Sequence, residues 1–156
     1  MEPEEKLEQE IFVKLARLCS KSEQCSPDLR RKINELGGEG EMAEKIIARL
    51  EKENYLNDER YAKAYVREKF RINKWGRIKM QYYLKMKGLP ENIIGIGLAE
   101  INEDDYTQLV VKTMKEKAKT IRKSNKFEKM GQIIRFAQGR GFEPEIIHRH
   151  LNEAIS

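Results

Sequence analysis

Ten cations crowd residues 60–87 of this chain: Arg60, Lys63, Arg67, Lys69, Arg71, Lys74, Arg77, Lys79, Lys85 and Lys87, against the single carboxylate of Glu68. A field of that sign attracts polyanions or acidic protein surfaces. Arg60, Lys63, Arg67, Arg71 and Lys74 are spaced 3, 4, 4 and 3, which puts them on one face of a helix. Lys112, Lys115, Lys119, Arg122 and Lys126 repeat the pattern at 3, 4, 3 and 4. Like charges stacked this way oppose helix formation, so something outside the helix is expected to compensate. A solvated helix face carries the same signature; the duplication favours a shared binding surface. Trp75, the only tryptophan, stands in Lys74-Trp75-Gly76-Arg77. Its ring suits stacking on a base or anchoring a protein partner, and equally packing at a helix junction. Tyr82 and Tyr83 are adjacent and cannot both face a core; Tyr83 is expected inward, beside Leu84, and Tyr82 at the surface.

Other chemistry is poorly represented. His148 and His150 lie two apart, about 200° around a helix, which is a poor metal pair. Cys19 and Cys25 have no nearby histidine, and Cys19 falls on an apolar stripe. No zinc spacing is present. The Gly37-Gly38-Glu39-Gly40 run lacks the Lys-Ser/Thr of a phosphate loop. No Ser-His-Asp or Cys-His arrangement suggests itself, so a non-enzyme without metal or cofactor is expected.

The elements that carry these residues read as helices almost throughout, because apolar residues recur at helical spacing and strand-type alternation is nearly absent. Leu7, Ile11, Leu15, Leu18 and Cys19 predict a helix over 4–20. Ser26-Pro27-Asp28 opens a second through Leu36, and Met42 to Leu50 a third. Asn57-Asp58 caps a longer helix carrying Tyr61, Ala62, Tyr65, Val66 and Phe70. After Gly76 a short helix turns Met80, Tyr83 and Leu84 inward, and Pro90 starts the next. Residues 103–123 form a long helix with Val110, Met114, Ala118 and Ile121 on one side, and two more helices follow, separated by Gly139 and Gly141.

These nine helices group into threes. Leu84-Lys85-Met86-Lys87-Gly88 parallels Ala137-Gln138-Gly139-Arg140-Gly141; five residues after each terminal glycine comes Ile93-Ile94 or Ile146-Ile147. The first third follows the same plan with Leu36, Gly40, Ile46 and Leu50. A period near fifty residues implies small units that must support one another. The expected fold is all-α: a tandem array of three three-helix repeats, elongated and curved, over 1–56, 57–101 and 102–156.

The bulk composition agrees. The 156 residues are 37% charged and 39% hydrophobic, which suits thin layers of amphipathic helix. The net charge of +5 hides an uneven distribution: residues 1–59 hold 10 basic and 15 acidic groups, residues 60–111 hold 10 and 6, and residues 112–156 hold 11 and 5. No apolar run approaches the roughly 20 residues of a membrane helix. The acidic start, Met1-Glu2-Pro3-Glu4-Glu5, argues against a secretory or transit peptide, and two cysteines cannot build a disulfide scaffold. A cytoplasmic protein with reduced thiols, monomeric and away from membranes, is expected.

Asp58-Glu59-Arg60-Tyr61-Ala62-Lys63-Ala64-Tyr65-Val66-Arg67, then Gly76-Arg77-Ile78-Lys79-Met80, then Leu84-Lys85-Met86-Lys87-Gly88-Leu89, resemble the RecX family of regulatory proteins. Leu18-Cys19-Ser20-Lys21 and Leu29-Arg30-Arg31-Lys32-Ile33 look like that family's opening unit, and Tyr55-Leu56-Asn57-Asp58 like its link into the central unit. The resemblance runs from about residue 11 to the C-terminus. The chain departs from the family pattern at Tyr83, where an acidic residue is common, at Arg77, where a proline or small residue is frequent, and at Gly37–Gly40, where a Lys-Gly ending is usual.

The resemblance implies a non-enzymatic modulator of the RecA recombinase. Members of the family lie in the helical groove of the RecA–DNA filament, restrain its growth, and depress strand exchange and RecA coprotease activity, in the control of DNA repair, recombination and the SOS response. The partner implied is the RecA filament, with single- or double-stranded DNA as a further one. The candidate contact residues are Arg60, Lys63, Arg67, Arg71, Lys74, Trp75, Arg77, Lys79, Lys85 and Lys87, with Lys112, Lys115, Lys119, Arg122 and Lys126 as a secondary basic surface. The alternative is a direct DNA-binding module of helix-turn-helix type, since three-helix units with basic helices fit that description too.

Overall fold

The computed structural model describes residues 2–122 and 125–155. Among them are nine α-helices, one π-helical segment and no strand: α1 (Pro3–Lys21), α2 (Ser26–Glu35), α3 (Glu41–Lys52), α4 (Asp58–Glu68), a π turn (Lys69–Asn73), α5 (Arg77–Lys87), α6 (Glu91–Leu98), α7 (Glu103–Thr120), α8 (Lys126–Gly139) and α9 (Pro144–Ile155). The fold is all-α, as the periodicity predicts.

The chain forms two compact units, and the division falls within α4, α5 and α6. The first unit comprises the described residues up to Ala64 together with Leu84–Gly97. Its core gathers Ile11, Phe12 and Leu15 of α1, Leu29 and Ile33 of α2, and Ile46, Ile47 and Leu50 of α3. Both α1 and α2 lie against α3. The Arg49 guanidinium covers the Phe12 ring at 3.6 Å, closing one edge of this core. Asp58 does more than begin α4. Its carboxylate accepts from the Ser26 backbone N–H at 2.7 Å and from the Ser26 hydroxyl, so it caps α2 from a distant point in the chain. Asn57 caps α4 itself, accepting from the Arg60 N–H at 2.9 Å.

The second unit comprises Tyr65–Tyr83 and the described residues from Leu98 onward. Here α7 packs on α8 and α9. Tyr106, Val110 and Met114 of α7, Ile133 of α8, Phe142, and Ile147 of α9 are fully or almost fully buried. The Tyr106 ring stacks on Phe70 and meets Phe142 edge-on, with centroids 6.1 and 5.6 Å away. Gly76 touches the loop after α8 backbone to backbone: its N–H donates to the Arg140 carbonyl at 2.7 Å, and a Cβ there would sit 2.3 Å from the Gly141 carbonyl. Only glycine fits.

One helix ending occurs three times. Gly37, Gly88 and Gly141 have φ of 96°, 103° and 96°. The residue after each donates its N–H back to Ile33, Leu84 or Ala137, and each glycine donates to Asn34, Lys85 or Gln138. This is the glycine-terminated Schellman ending, in which a left-handed residue lets two N–H groups reach the helix's last carbonyls. The glycine of the first third that matches Gly88 and Gly141 is therefore Gly37, not Gly40.

Three local expectations are corrected. Tyr83 does not turn inward: it is 40% exposed and Tyr82 58%. The α7 helix ends at Thr120, with Ile121 already extended; the predicted end at Lys123 lies outside the described residues. Phe70 sits in the π turn rather than in a continued α-helix.

Candidate functional site

The predicted cations fall into two groups, those consumed by the fold and those left without a side-chain partner. Arg60 belongs to the first. Its guanidinium pairs with Glu23 and donates to the Asn54 side chain at 3.1 Å and to the Asn54 and Tyr55 carbonyls at 3.2 Å. Arg67 pairs with Glu100 at 2.6 Å. Arg77 stacks on Tyr106 at 3.9 Å and bridges Glu103 and Glu143. Burial opposes the Arg77 charge, but the bonds to Glu103 and Glu143 prevail and its pKa lies above the ordinary value. The Tyr106 hydroxyl donates to Glu143 and accepts from the Arg77 N–H at 3.0 Å; burial, then that carboxylate, push its pKa up. Lys87 pairs with Asp28 at 3.0 Å. Burial opposes its charge as well, and the hydrogen bond to Asp28 outweighs it, so its pKa is raised. These four cations each have an acidic partner within the fold, which leaves the unpaired cations as the stronger candidates for partner contact.

Lys63, Arg71, Lys74 and Lys85 carry no ion pair or side-chain hydrogen bond among the described residues. The predicted single stripe does not survive intact. The π turn winds with i→i+5 bonds and Lys74 leaves it left-handed, so three- and four-residue α-helical spacing no longer describes the run that ends at Lys74. The turn ends at Lys74, which adopts the left-handed conformation (φ 60°, ψ 40°). π turns and left-handed non-glycine residues concentrate at functional positions.

In the second unit, Arg71 and Lys74 line a groove of about 750 Å³. The opposite wall is α7, which contributes Lys112 and Lys117, and α8 with Arg140 completes it. Two sequence stripes thus meet here, Arg71 and Lys74 from one and Lys112 from the other. Lys117 and Arg140 were not singled out in the sequence; their heads lie 4.9 and 5.0 Å from the Phe136 ring, which also lines the groove. Lys117 falls off the three-four stripe, and Arg140 sits between two glycines of a repeat motif, so neither was conspicuous. Asp105 and Glu116 are the acidic groups in the lining. Lys115 and Lys119 continue with Lys112 along α7. Arg122 lies beyond the end of α7 and Lys126 begins α8, so the second stripe is not one helix face.

The same unit carries an aromatic cluster at its surface, with Tyr82 and Tyr83 exposed and Trp75 half-buried. Trp75 stacks on Tyr83 at 5.2 Å, and Tyr83 meets Tyr82 edge-on at 5.2 Å. The Lys69 and Lys79 ammonium groups approach the Trp75 ring at 5.1 and 4.8 Å. Ile72, 72% exposed, and Ile78 are further exposed apolar groups of this unit. Trp75 therefore both packs at the junction and belongs to an exposed cluster. Among the described residues, no group of three His, Cys, Asp or Glu could hold a metal ion, and no helix is long and apolar enough to cross a membrane.

Comparison with known proteins gives this surface a context. The family model described as the second three-helix domain of RecX matches residues 57–98. A regulatory protein RecX of Chlorobaculum tepidum is 33% identical over 120 residues, 77% of this chain and 72% of that protein. One from Clostridium perfringens (strain SM101 / Type A) is 30% identical over 128 residues, 81% of this chain and 59% of that protein. The chain spans about three fifths of the length of such clostridial relatives. The crystal structure of RecX from Lactobacillus salivarius superposes with a TM-score of 0.89 at 19% identity, covering 96% of this chain and 97% of that one. By sequence over most of its length, and by fold, the chain belongs to the RecX family of regulatory proteins.

Proposed function

We propose that this chain binds the RecA–DNA filament and negatively modulates the recombinase and coprotease activities of RecA. The observation that carries the reading is one compact unit in which Arg71, Lys74 and Lys112, without ion-pair partners among the described residues, line a groove, while half-buried Trp75 and exposed Tyr83 and Tyr82 form an aromatic cluster at the surface. Tryptophan, tyrosine and arginine are the residues that anchor protein interfaces. Unpaired cations in a groove attract carboxylates or phosphates. A nucleoprotein filament offers both acidic protein and phosphate. In this reading the chain acts as a cytoplasmic monomer, without catalysis or cofactor. Co-sedimentation with RecA filaments, with and without single-stranded DNA, tests it. Recovery in the RecA–DNA pellet, and not with DNA alone, is expected; absence from that pellet contradicts it.

The second reading, direct DNA binding, is favoured by the Phe136 ring among the groove's cations. The two differ in salt response. Phosphate binding weakens with a steep logarithmic slope set by the phosphates neutralised, whereas an interface with an apolar centre weakens less.

A further inference from the structure

The first third of the sequence is its acidic part, 15 carboxylates to 10 cations over residues 1–59. Four of those ten cations nevertheless converge. Between α1 and α2 lies a groove of about 410 Å³, lined by Lys14, Arg17 and Lys21 from α1 and Lys32 from α2, with Glu35 as the acidic lining group. Its floor is aliphatic: Leu15, Leu18 and Leu36. Leu15 is buried, while Leu18 and Leu36 remain partly open. The helices explain the gap, because α1 and α2 each pack on α3.

The cations here differ from others in the same unit. Arg30, Arg31 and Arg49 are neutralised by Glu44, Asp28 and Glu53. Lys14, Arg17, Lys21 and Lys32 have no ion pair among the described residues. Lys21 and Lys32 stand in the last turns of their helices, where positive charge suits the helix dipole. Lys14 and Arg17 lie further back on α1 and have no such role.

We propose that the α1–α2 groove is a docking site for an acidic amphipathic helix of a partner protein. The leucine floor accepts apolar side chains at i, i+3 and i+4 of such a helix, and the cations around it pair with its carboxylates. A phosphodiester chain fits less well, since it offers no aliphatic group for the floor and the lining has no aromatic ring on which a base could stack. This surface is separate from the groove and platform of the second unit and stands whether or not RecA is the partner there.

The test is fluorescence anisotropy of the full chain with a fluorescein-labelled, glutamate-rich helical peptide bearing leucines at i, i+3, i+4 and i+7. Binding is expected to weaken at least tenfold in Lys14→Glu with Lys32→Glu, and equally when the peptide's leucines are replaced by serine. It is expected to be unchanged in Arg71→Glu with Lys74→Glu. Lys14 and Lys32 are exposed, so circular dichroism of the double variant should match the parent. In the parent, peptide addition should move the amide resonances of Leu18 and Leu36. Equal affinity for the Lys14/Lys32 variant, or resonance changes confined to other helices, overturns the proposal. So does equal binding of the serine peptide or of a thymidine oligonucleotide of the same charge, which identifies a general polyanion seat instead.

Discussion

Lys87 and Asp28 illustrate how a motif residue can serve the fold rather than a partner. Both members of the pair are partly buried, and α5 is tied through it to the first turn of α2. Burial disfavours the Asp28 charge, but hydrogen bonds from Lys87, Cys25 and Arg31 prevail and lower its pKa below the ordinary 3.8. A depressed carboxylate pKa contributes stability that is fully present above the unfolded value and lost as pH falls through the folded one. The raised Lys87 pKa gives the mirror case, with stability present below 10.5 and lost above it. Asp28→Asn should therefore cost about 1 kcal/mol between roughly pH 5 and 9. The difference from the parent should shrink as pH falls below 3.8, as read from urea unfolding across pH. Cys25 is fully buried and burial pushes its thiol up to about 12, so native protein should label with a thiol reagent at Cys19 before Cys25. Lys74 is the opposite kind of residue, exposed, unpaired and left-handed. Lys74→Gly relieves the left-handed strain while loosening the unfolded chain, two effects of similar size. Its unfolding free energy should stay within about 0.5 kcal/mol of the parent, while the RecA inhibition proposed for the parent should weaken.

At the scale of elements, the contact between Gly76 and Gly141 fixes where α5 begins and so where Trp75 stands before it. A Cβ at residue 76 would collide with backbone, which cannot swing aside as a side chain can. Gly76→Ala should lower unfolding free energy by about 2–3 kcal/mol. It should also disturb the Trp75–Tyr83 stack, which tryptophan fluorescence reports. The nine helices and their glycine endings were legible in the sequence because apolar spacing and glycine caps are local signals. The register of the first repeat was misread by three residues, because Gly37, Gly38 and Gly40 compete and only φ and the returning hydrogen bonds single out Gly37. The cationic stripe was legible as charge but not as a face, because a π turn has no reliable sequence signature and shifts the phase after Glu68. Tyr83 was misplaced for a related reason. Helical spacing beside Leu84 pointed inward, while stacking on Trp75 holds it at the surface. Ion pairing across long sequence distances, as in Arg60 with Glu23 or Arg77 with Glu143, is invisible to spacing rules.

At the scale of the whole molecule, the uneven charge takes on a structural meaning. The basic remainder of the chain supplies a groove and platform in one unit, and the acidic first third supplies its own smaller basic groove in the other. Family membership rests on relatives that match most of this chain, while the clostridial ones extend well beyond the matched length. The surface built from Arg71, Lys74 and their neighbours is the one proposed to act on RecA. Arg67 is a poor probe of it, because reversing Arg67 also sets two carboxylates against each other at Glu100. Among the described residues Arg71 and Lys74 have no such partner, so Arg71→Glu with Lys74→Glu is expected to alter the surface and leave the fold alone. The most direct measurement is RecA-catalysed strand exchange titrated with the parent and with this double variant, at matched helix content. The variant is expected to need at least tenfold more protein for half-inhibition, because reversal replaces attraction with repulsion at the contact. Equal inhibition by the two proteins would contradict it and leave these cations as a solvated face.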